Sequence, residues 1–169
     1  MKIAVIGYSG AGKSTLARAL GERYGIPVLH FDCVQFTPNW QERDRGEAHR
    51  IVHEFMEQPQ WVMDGTYSKF EYERRLEEAD AIIFLDFPRL ACFFRAWKRY
   101  FQFRGGTRSD MADGCIEKMD MEFVRWLLWK GRTRKRKEKF QKVIEQYPDK
   151  TVVLKSQKEI NEYLEGLSC

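Results

Sequence analysis

The sequence predicts an α/β protein: a three-layer α/β/α fold around a central five-stranded parallel sheet. Three observations lead there. Short apolar runs of strand length alternate with longer amphipathic segments from end to end. The runs at 2–6, 61–63 and 81–87 are largely apolar rather than alternating, as strands covered on both faces are. A glycine-rich loop follows the first run directly and opens directly into a helical pattern.

Residues 2–6 read as the first buried strand, ending in glycine. Residues 13–24 read as a helix, because Leu16, Ala19, Leu20 and Tyr24 share one face. Gly25-Ile26-Pro27 breaks it before a second strand at 28–31, and Pro38-Asn39-Trp40 marks a turn. Residues 41–58 are charged, with Ile51, Val52, Phe55 and Met56 as the apolar stripe of a helix. A third strand at 61–63 ends at Asp64-Gly65, a short helix covers 70–78, and 81–87 is the most apolar strand, stopped by Pro88. Residues 90–103 are helical, aromatic and basic; the stripe of Phe93, Phe94, Trp97, Tyr100 and Phe101 is expected to pack in the core or under a lid. Residues 104–116 hold two adjacent glycines and read as a loop or mobile flap. The helical pattern of 121–147 carries a candidate break at Gly131, and a last strand (151–154) and helix (159–167) follow. Neither an internal repeat nor an interdomain linker interrupts this order. The expected organisation is one domain over 1–169, with an acceptor-binding helical region at about 33–60 and a lid at about 100–131.

The segment Gly7-Tyr8-Ser9-Gly10-Ala11-Gly12-Lys13-Ser14-Thr15 fits the spacing G-x-x-x-x-G-K-[ST] without mismatch, between a strand and a helix. Each part has a physical task. The glycines let backbone N–H groups from Ser9 to Thr15 turn inward around phosphate oxygens. The following helix adds the positive end of its dipole. Lys13 supplies a cation to a transferred phosphate, and the Ser14 hydroxyl is placed to ligate Mg²⁺.

Charge is unevenly spread along the chain's 169 residues and net +4. Residues 1–88 carry 10 Lys/Arg and 14 Asp/Glu, whereas residues 89–142 carry 16 and 6. A segment of net +10 is suited to a polyanion, either a triphosphate or a nucleic acid. No run approaches the roughly 20 apolar residues of a membrane span. The first residues lack the longer apolar segment of a signal peptide, so a cytoplasmic location and no membrane partner are expected. The four cysteines, at 33, 92, 115 and 169, form no C-x-x-C pair, and free thiols are expected rather than a zinc site.

With the loop, His30-Phe31-Asp32, Thr37-Pro38-Asn39-Trp40, Trp61-Val62-Met63-Asp64-Gly65-Thr66-Tyr67 and Ile83-Phe84-Leu85-Asp86-Phe87-Pro88-Arg89 in this order, the chain resembles the adenylate-kinase-like branch of P-loop kinases. Within that branch it is most similar to the bacterial topology modulation (FlaR-related) proteins. The resemblance implies ATP and Mg²⁺ as ligands. It implies that Asp64 holds Mg²⁺ through water, and that Arg95 and Arg99 match an Arg-x-x-x-Arg pair at the base of a lid. It further implies that Arg132, Arg134 and Arg136 stand on the returning lid helix, Arg134 toward the nucleotide and Arg136 toward the transferred group. Preorganised cations of this kind stabilise the charge that spreads over a moving phosphoryl group. Asp86 also ends a strand and competes with Asp64 for the metal; Asp64 is preferred because Pro88 makes Asp86 a helix-entry residue.

The chain departs from adenylate kinases on the acceptor side. Gln35 stands near the place of one AMP-binding arginine, and Asp64-Gly65-Thr66-Tyr67 replaces the segment that carries the other. Arg43, Arg45, Arg50 and Lys69 are the nearest cations. Asp32 closes the second strand, where shikimate and gluconate kinases carry a carboxylate for an acceptor hydroxyl. An ionised phosphate needs no base, but a hydroxyl benefits from one. The expectation is a phosphotransferase moving the γ-phosphoryl of ATP to a nucleotide, nucleoside or small hydroxyl acceptor. The alternative is a nucleotide-binding regulatory or nucleic-acid-associated protein with little turnover, although the sequence carries no DNA-reading motif.

Overall fold

In a computed structural model, the structure describes residues 1–103, 106, 115 and 119–167. The chain runs β1 (Lys2–Gly7), α1 (Lys13–Tyr24), β2 (Val28–His30), α2 (Phe31–Gln35), β3 (Phe36–Thr37), β4 (Gln41–Glu42), α3 (Arg45–Met56), β5 (Trp61–Asp64), α4 (Tyr72–Glu78), β6 (Ala81–Leu85), α5 (Arg89–Gln102), α6 (Met121–Leu128), α7 (Arg134–Gln146), β7 (Thr151–Leu154) and α8 (Gln157–Gly166). Five strands form one parallel sheet in the order β2-β5-β1-β6-β7, with helices on its faces.

The middle of the sheet is the core. Ile3 to Ile6, Trp61 to Met63 and Ile82 to Leu85 are all buried, as both-face coverage requires. Because every strand is parallel, all five carboxyl ends lie on one edge. The chain leaves β1 toward β2 on one side and leaves β6 toward β7 on the other, which is the arrangement that opens a ligand crevice at those ends.

The sequence placed most of these elements, but β2 stops at His30, and Asp32, expected to close that strand, stands instead in the first turn of α2. Four further local differences have physical causes. The segment expected as helix from residue 41 begins at Arg45. Gln41 and Glu42 instead pair antiparallel with Thr37 and Phe36, and Asp44 caps the helix by accepting from the Glu47 N–H at 3.0 Å. Strand β6 ends at Leu85, because the Asp86 N–H turns to the Leu154 carbonyl and Pro88 caps the next helix. The long pattern at 121–147 is two helices. They break at Gly131, where an added Cβ would stand 2.7 Å from the Trp126 carbonyl oxygen. Of the aromatic stripe of α5, Phe93 and Tyr100 are half-buried, whereas Phe94, Trp97 and Phe101 are exposed rather than core, and their rings touch one another along the helix.

The lid expected at about 100–131 lies in part outside the described residues. Its described parts are the end of α5, α6 and the turn at 130–132, with residues 106, 115, 119 and 120. Among the described residues no helix is long and apolar enough to cross a membrane.

Candidate functional site

A cavity of about 1240 Å³ opens along the carboxyl edge of the sheet. It extends from the glycine loop to α2 and the β3–β4 hairpin.

The loop forms its floor. Gly10 adopts φ +77°, and an added Cβ would sit 2.5 Å from the Cys92 carbonyl oxygen, so only glycine fits beneath α5. Ser9, Gly10, Gly12, Lys13, Ser14 and Thr15 all line the cavity, whereas Ala11 is buried under the loop. Helix α1 begins at Lys13 with no side-chain cap, which leaves its first N–H groups turned to the loop. Lys13 Nζ donates to the Tyr8 carbonyl at 3.2 Å. Burial pulls its ammonium pKa below the ordinary lysine value, and the Asp32 and Asp64 carboxylates pull it back up.

The loop is clasped from two sides. Thr66, just past β5, donates to the Gly7 carbonyl at 3.0 Å and accepts from the Gly7 N–H at 3.2 Å. From α6, Trp126 Nε1 donates to the Ser9 hydroxyl at 3.1 Å.

The cations expected from α5 come to the same cavity. Arg95, Lys98 and Arg99 line it. Arg95 lies against Gly12, its guanidinium 4.8 Å from the Phe87 ring and bonded to Gln157 Oε1 at 2.7 Å. Half-burial draws its pKa below the usual arginine value. Around α7 the expected arginines diverge. Arg136 lines the cavity and stacks 4.4 Å above Trp126. Arg132 turns inward, bonding the Phe87 carbonyl at 2.8 Å and Cys92 Sγ at 3.0 Å with its guanidinium over Tyr8, and so braces the loop from below. Arg134 is not brought to the cavity: its side chain is 93% exposed and pairs with Glu138 at 2.7 Å one turn on. The helical turn that points Arg136 toward the cavity points Arg134, expected on the nucleotide, away from it.

Two carboxylates face the loop. Asp64 ends β5 beside Val5 of β1, is almost fully buried, and bonds His30 Nδ1 at 3.0 Å. It lines the cavity with Ser14, whereas Asp86 does not; burial raises the Asp86 pKa while Lys155, Arg132 and Lys137 oppose the rise. Among the described residues no group of three or more His, Cys, Asp or Glu comes together to hold a metal. The two oxygen donors Ser14 and Asp64 nevertheless fit Mg²⁺, which takes few protein ligands and completes its shell with phosphate and water.

Asp32 sits in the first turn of α2 and lines the cavity on the α2 side, near enough to Lys13 to be the leading charge that raises its pKa. The Tyr67 hydroxyl donates to it at 2.7 Å. Burial, then the Asp32 charge and this bond, push the Tyr67 pKa far above the ordinary phenol, so the hydroxyl stays a neutral donor. Tyr67 is held in turn by Arg75, a buried guanidinium to which no carboxylate among the described residues bonds. Arg75 donates to the carbonyls of Gly65 (3.3 Å) and Tyr67 (2.9 Å) and stacks 4.0 Å from the Phe31 ring. Burial pulls its pKa down to about 10.

Sequence reasoning missed Tyr67, Thr66, Arg75, Lys98, Gln157 and Trp126 as site residues. Only Tyr67 carried a usable signal, its place two residues past the Asp64-Gly65 turn. The others meet the site across long sequence separations that no local spacing encodes.

No family model matches the chain, and no curated protein matches it. Solved structures similar to it include deoxyadenosine kinase from M. mycoides with bound dATP (TM-score 0.55, 16% identity, all of both chains covered). A gluconokinase from Sinorhizobium meliloti 1021 is similar at TM-score 0.54 and 18% identity, over 99% of this chain and 93% of that one. Shikimate kinase from Bacteroides thetaiotaomicron is similar at TM-score 0.50 and 14% identity, over 99% and 96%. The chain has the P-loop kinase fold that these proteins share.

Proposed function

We propose that the protein is a phosphotransferase that moves the γ-phosphoryl group of ATP to a hydroxyl of a small acceptor. The observation that carries this is one cavity with Lys13 and the glycine loop on its floor and the Asp32 carboxylate facing them. The three solved kinases named above act, by their names, on small hydroxyl compounds, which supports the same reading.

In this reading the loop N–H groups, the start of α1 and Lys13 bind the phosphates. Arg95, Arg99 and Arg136 stabilise the charge that gathers on the moving group. Asp32 accepts the proton of the acceptor hydroxyl as its oxygen bonds to the γ-phosphorus. The bond from that phosphorus to the β–γ bridging oxygen breaks, ADP leaves, and Asp32 returns the proton to water. Ser14 and Asp64 would hold Mg²⁺, which when bound offsets phosphate charge. The likeness to topology modulation proteins supports an adenylate-kinase-like ancestry and rests on the motifs at 30–32, 37–40, 61–67 and 83–89.

The same cavity gathers Arg95, Lys98, Arg99 and Arg136 out of the +10 segment, which favours a triphosphate over a nucleic acid as the polyanion. The test is Lys13→Ala. It should lower ATP-dependent turnover by about a hundredfold or more, with the far-ultraviolet circular dichroism unchanged. Full turnover in a folded variant overturns the reading.

A further inference from the structure

The structure also speaks to the acceptor. We propose that it is an uncharged, hydroxyl-bearing compound with a flat ring, of the nucleoside class, seated between Asp32 and the β3–β4 hairpin. This rests on the kinase reading above and deepens it.

Charge among the described residues near Asp32 disfavours a phosphate-bearing acceptor. Of the four cations that the sequence offers near α2 and β5, only Lys69 lines the cavity. Arg43 is engaged elsewhere: it bonds the Val34 carbonyl at 3.0 Å, the Cys33 carbonyl at 3.4 Å and Glu47 at 2.6 Å, and so ties α2 to α3. Arg50 pairs with Glu54 at 3.2 Å on the surface, and Arg45 is exposed outside the cavity. The lining at this end instead includes two carboxylates, Asp32 and Glu42. A phosphate near Asp32 and Glu42 would meet two negative charges, with Lys69 and Arg18, both exposed, as the cavity's described cations outside the glycine loop, α5 and α7.

Shape selects a ring. Phe36 and Trp40 both line the cavity, edge to face with centroids 5.3 Å apart. Trp40 has φ +62° and Asn39 φ +63°, two adjacent non-glycine residues in the left-handed region. An aromatic residue holds that conformation only where its surroundings over-determine it, and such strain gathers at ligand sites. The surroundings are visible. Phe36 and Thr37 pair with Glu42 and Gln41, the Trp40 N–H donates to Cys115 Sγ at 3.4 Å, and Cys115 Sγ meets the Thr37 carbonyl at 3.5 Å. The constraint turns an indole into the cavity wall, where it offers a face to a planar ring of any base identity.

The polar groups suit the rest of the molecule. The Gln35 side-chain amide lines the cavity and has no partner among the described residues, so it is able to give and take a hydrogen bond at a ring edge. Tyr67 occupies one oxygen of Asp32, and the other oxygen has no partner among the described residues, which leaves it for a sugar hydroxyl.

The experiment has two readouts. The first is calorimetric binding without ATP, using adenosine, guanosine, cytidine and thymidine, then AMP and CMP, then the ring-free polyol glycerol. The expected result is that at least one nucleoside binds ten times more tightly than either monophosphate. Trp40→Ala and, separately, Gln35→Leu should each weaken that nucleoside tenfold while ATP affinity is unchanged. The second readout is ADP release with each compound. A monophosphate that binds more tightly than every nucleoside, glycerol turned over as fast as a nucleoside, or nucleoside binding unmoved in both variants overturns the proposal. The two readings fail separately. Trp40-dependent nucleoside binding without ADP release supports this proposal and removes the kinase reading. ADP release with monophosphates or glycerol alone leaves the kinase reading standing and removes this proposal.

Discussion

The two ends of the cavity are built by different means. The phosphate-loop end is made from consecutive backbone: residues 7–15 form the cradle, and side chains such as Thr66, Arg132 and Trp126 only brace it. The Asp32 end is made from side chains that arrive from α2, the hairpin, the segment after β5 and α4, with Tyr67 on Asp32 and Arg75 behind Tyr67. A backbone cradle recognises what all triphosphates share. A mosaic of side chains changes one residue at a time, and it is the end that sets the acceptor.

If the ends are as separate as their construction suggests, damage to one should spare the other. Arg75→Met is the strongest break. It leaves the Gly65 and Tyr67 carbonyls without their guanidinium donors in the interior, which should cost about 2 kcal/mol of stability in urea unfolding. Acceptor KM should rise while ATP affinity, read by calorimetry, stays within twofold. A parallel loss of ATP binding would show that the segment at 64–67 couples the two ends through its Thr66–Gly7 clasp. Trp126→Phe strikes the opposite end more lightly. The phenyl ring still stacks under Arg136, but the bond to Ser9 is lost. ATP should bind about fivefold more weakly, from about 1 kcal/mol for one neutral hydrogen bond, with acceptor KM unchanged.

The same contrast decides how much was legible in the sequence. The sheet and the loop were legible because their causes are local: apolar runs of strand length, one glycine spacing, and a strand before and a helix after. The inward Arg95, Arg99 and Arg136 were legible as a basic segment, but the outward turn of Arg134 was not, because a run of alternating cations does not say which member faces in. The roles of Trp126 and Arg75 were not legible at all, and that of Tyr67 only as a place just past the Asp64-Gly65 turn. Each depends on a contact between elements whose relative placement is set by packing of the whole sheet. Trp126 meets Ser9 across 117 residues, and Tyr67 meets Asp32 across 35. The aromatics of α5 were legible as a stripe, but not the surface it faces: Phe94, Trp97 and Phe101 are exposed, and the lid expected over them lies in part outside the described residues. Their spacing is that of a core stripe, and nothing in it says which surface, if any, lies opposite.

The smallest effect lies just behind the Asp32 end. Tyr72 is buried, and its hydroxyl finds no hydrogen-bond partner among the described residues. Arg75 lies 5.4 Å from its ring centroid on one side, and Lys139 Nζ lies 3.5 Å from it. Burial pushes its pKa up to about 12, with the Arg75 charge opposing and the Glu73 charge adding. The folded pKa therefore lies above the unfolded value of about 10. Its contribution is fully present below pH 10 and is lost as pH rises toward 12, because the unfolded chain gives up that proton first. Arg75 works the other way, since its folded pKa of about 10 lies below the unfolded one, and its burial penalty is relieved over the same alkaline range. Tyr72→Phe keeps the ring under Lys139 and removes both the orphaned hydroxyl and the titration. At pH 7 it should be more stable by about 0.5 kcal/mol, and its Tm should fall less between pH 10 and 12 than that of the parent chain. An identical alkaline slope would mean that Tyr72 ionises as freely folded as unfolded, and that the wall behind Tyr67 is wetter than its burial implies.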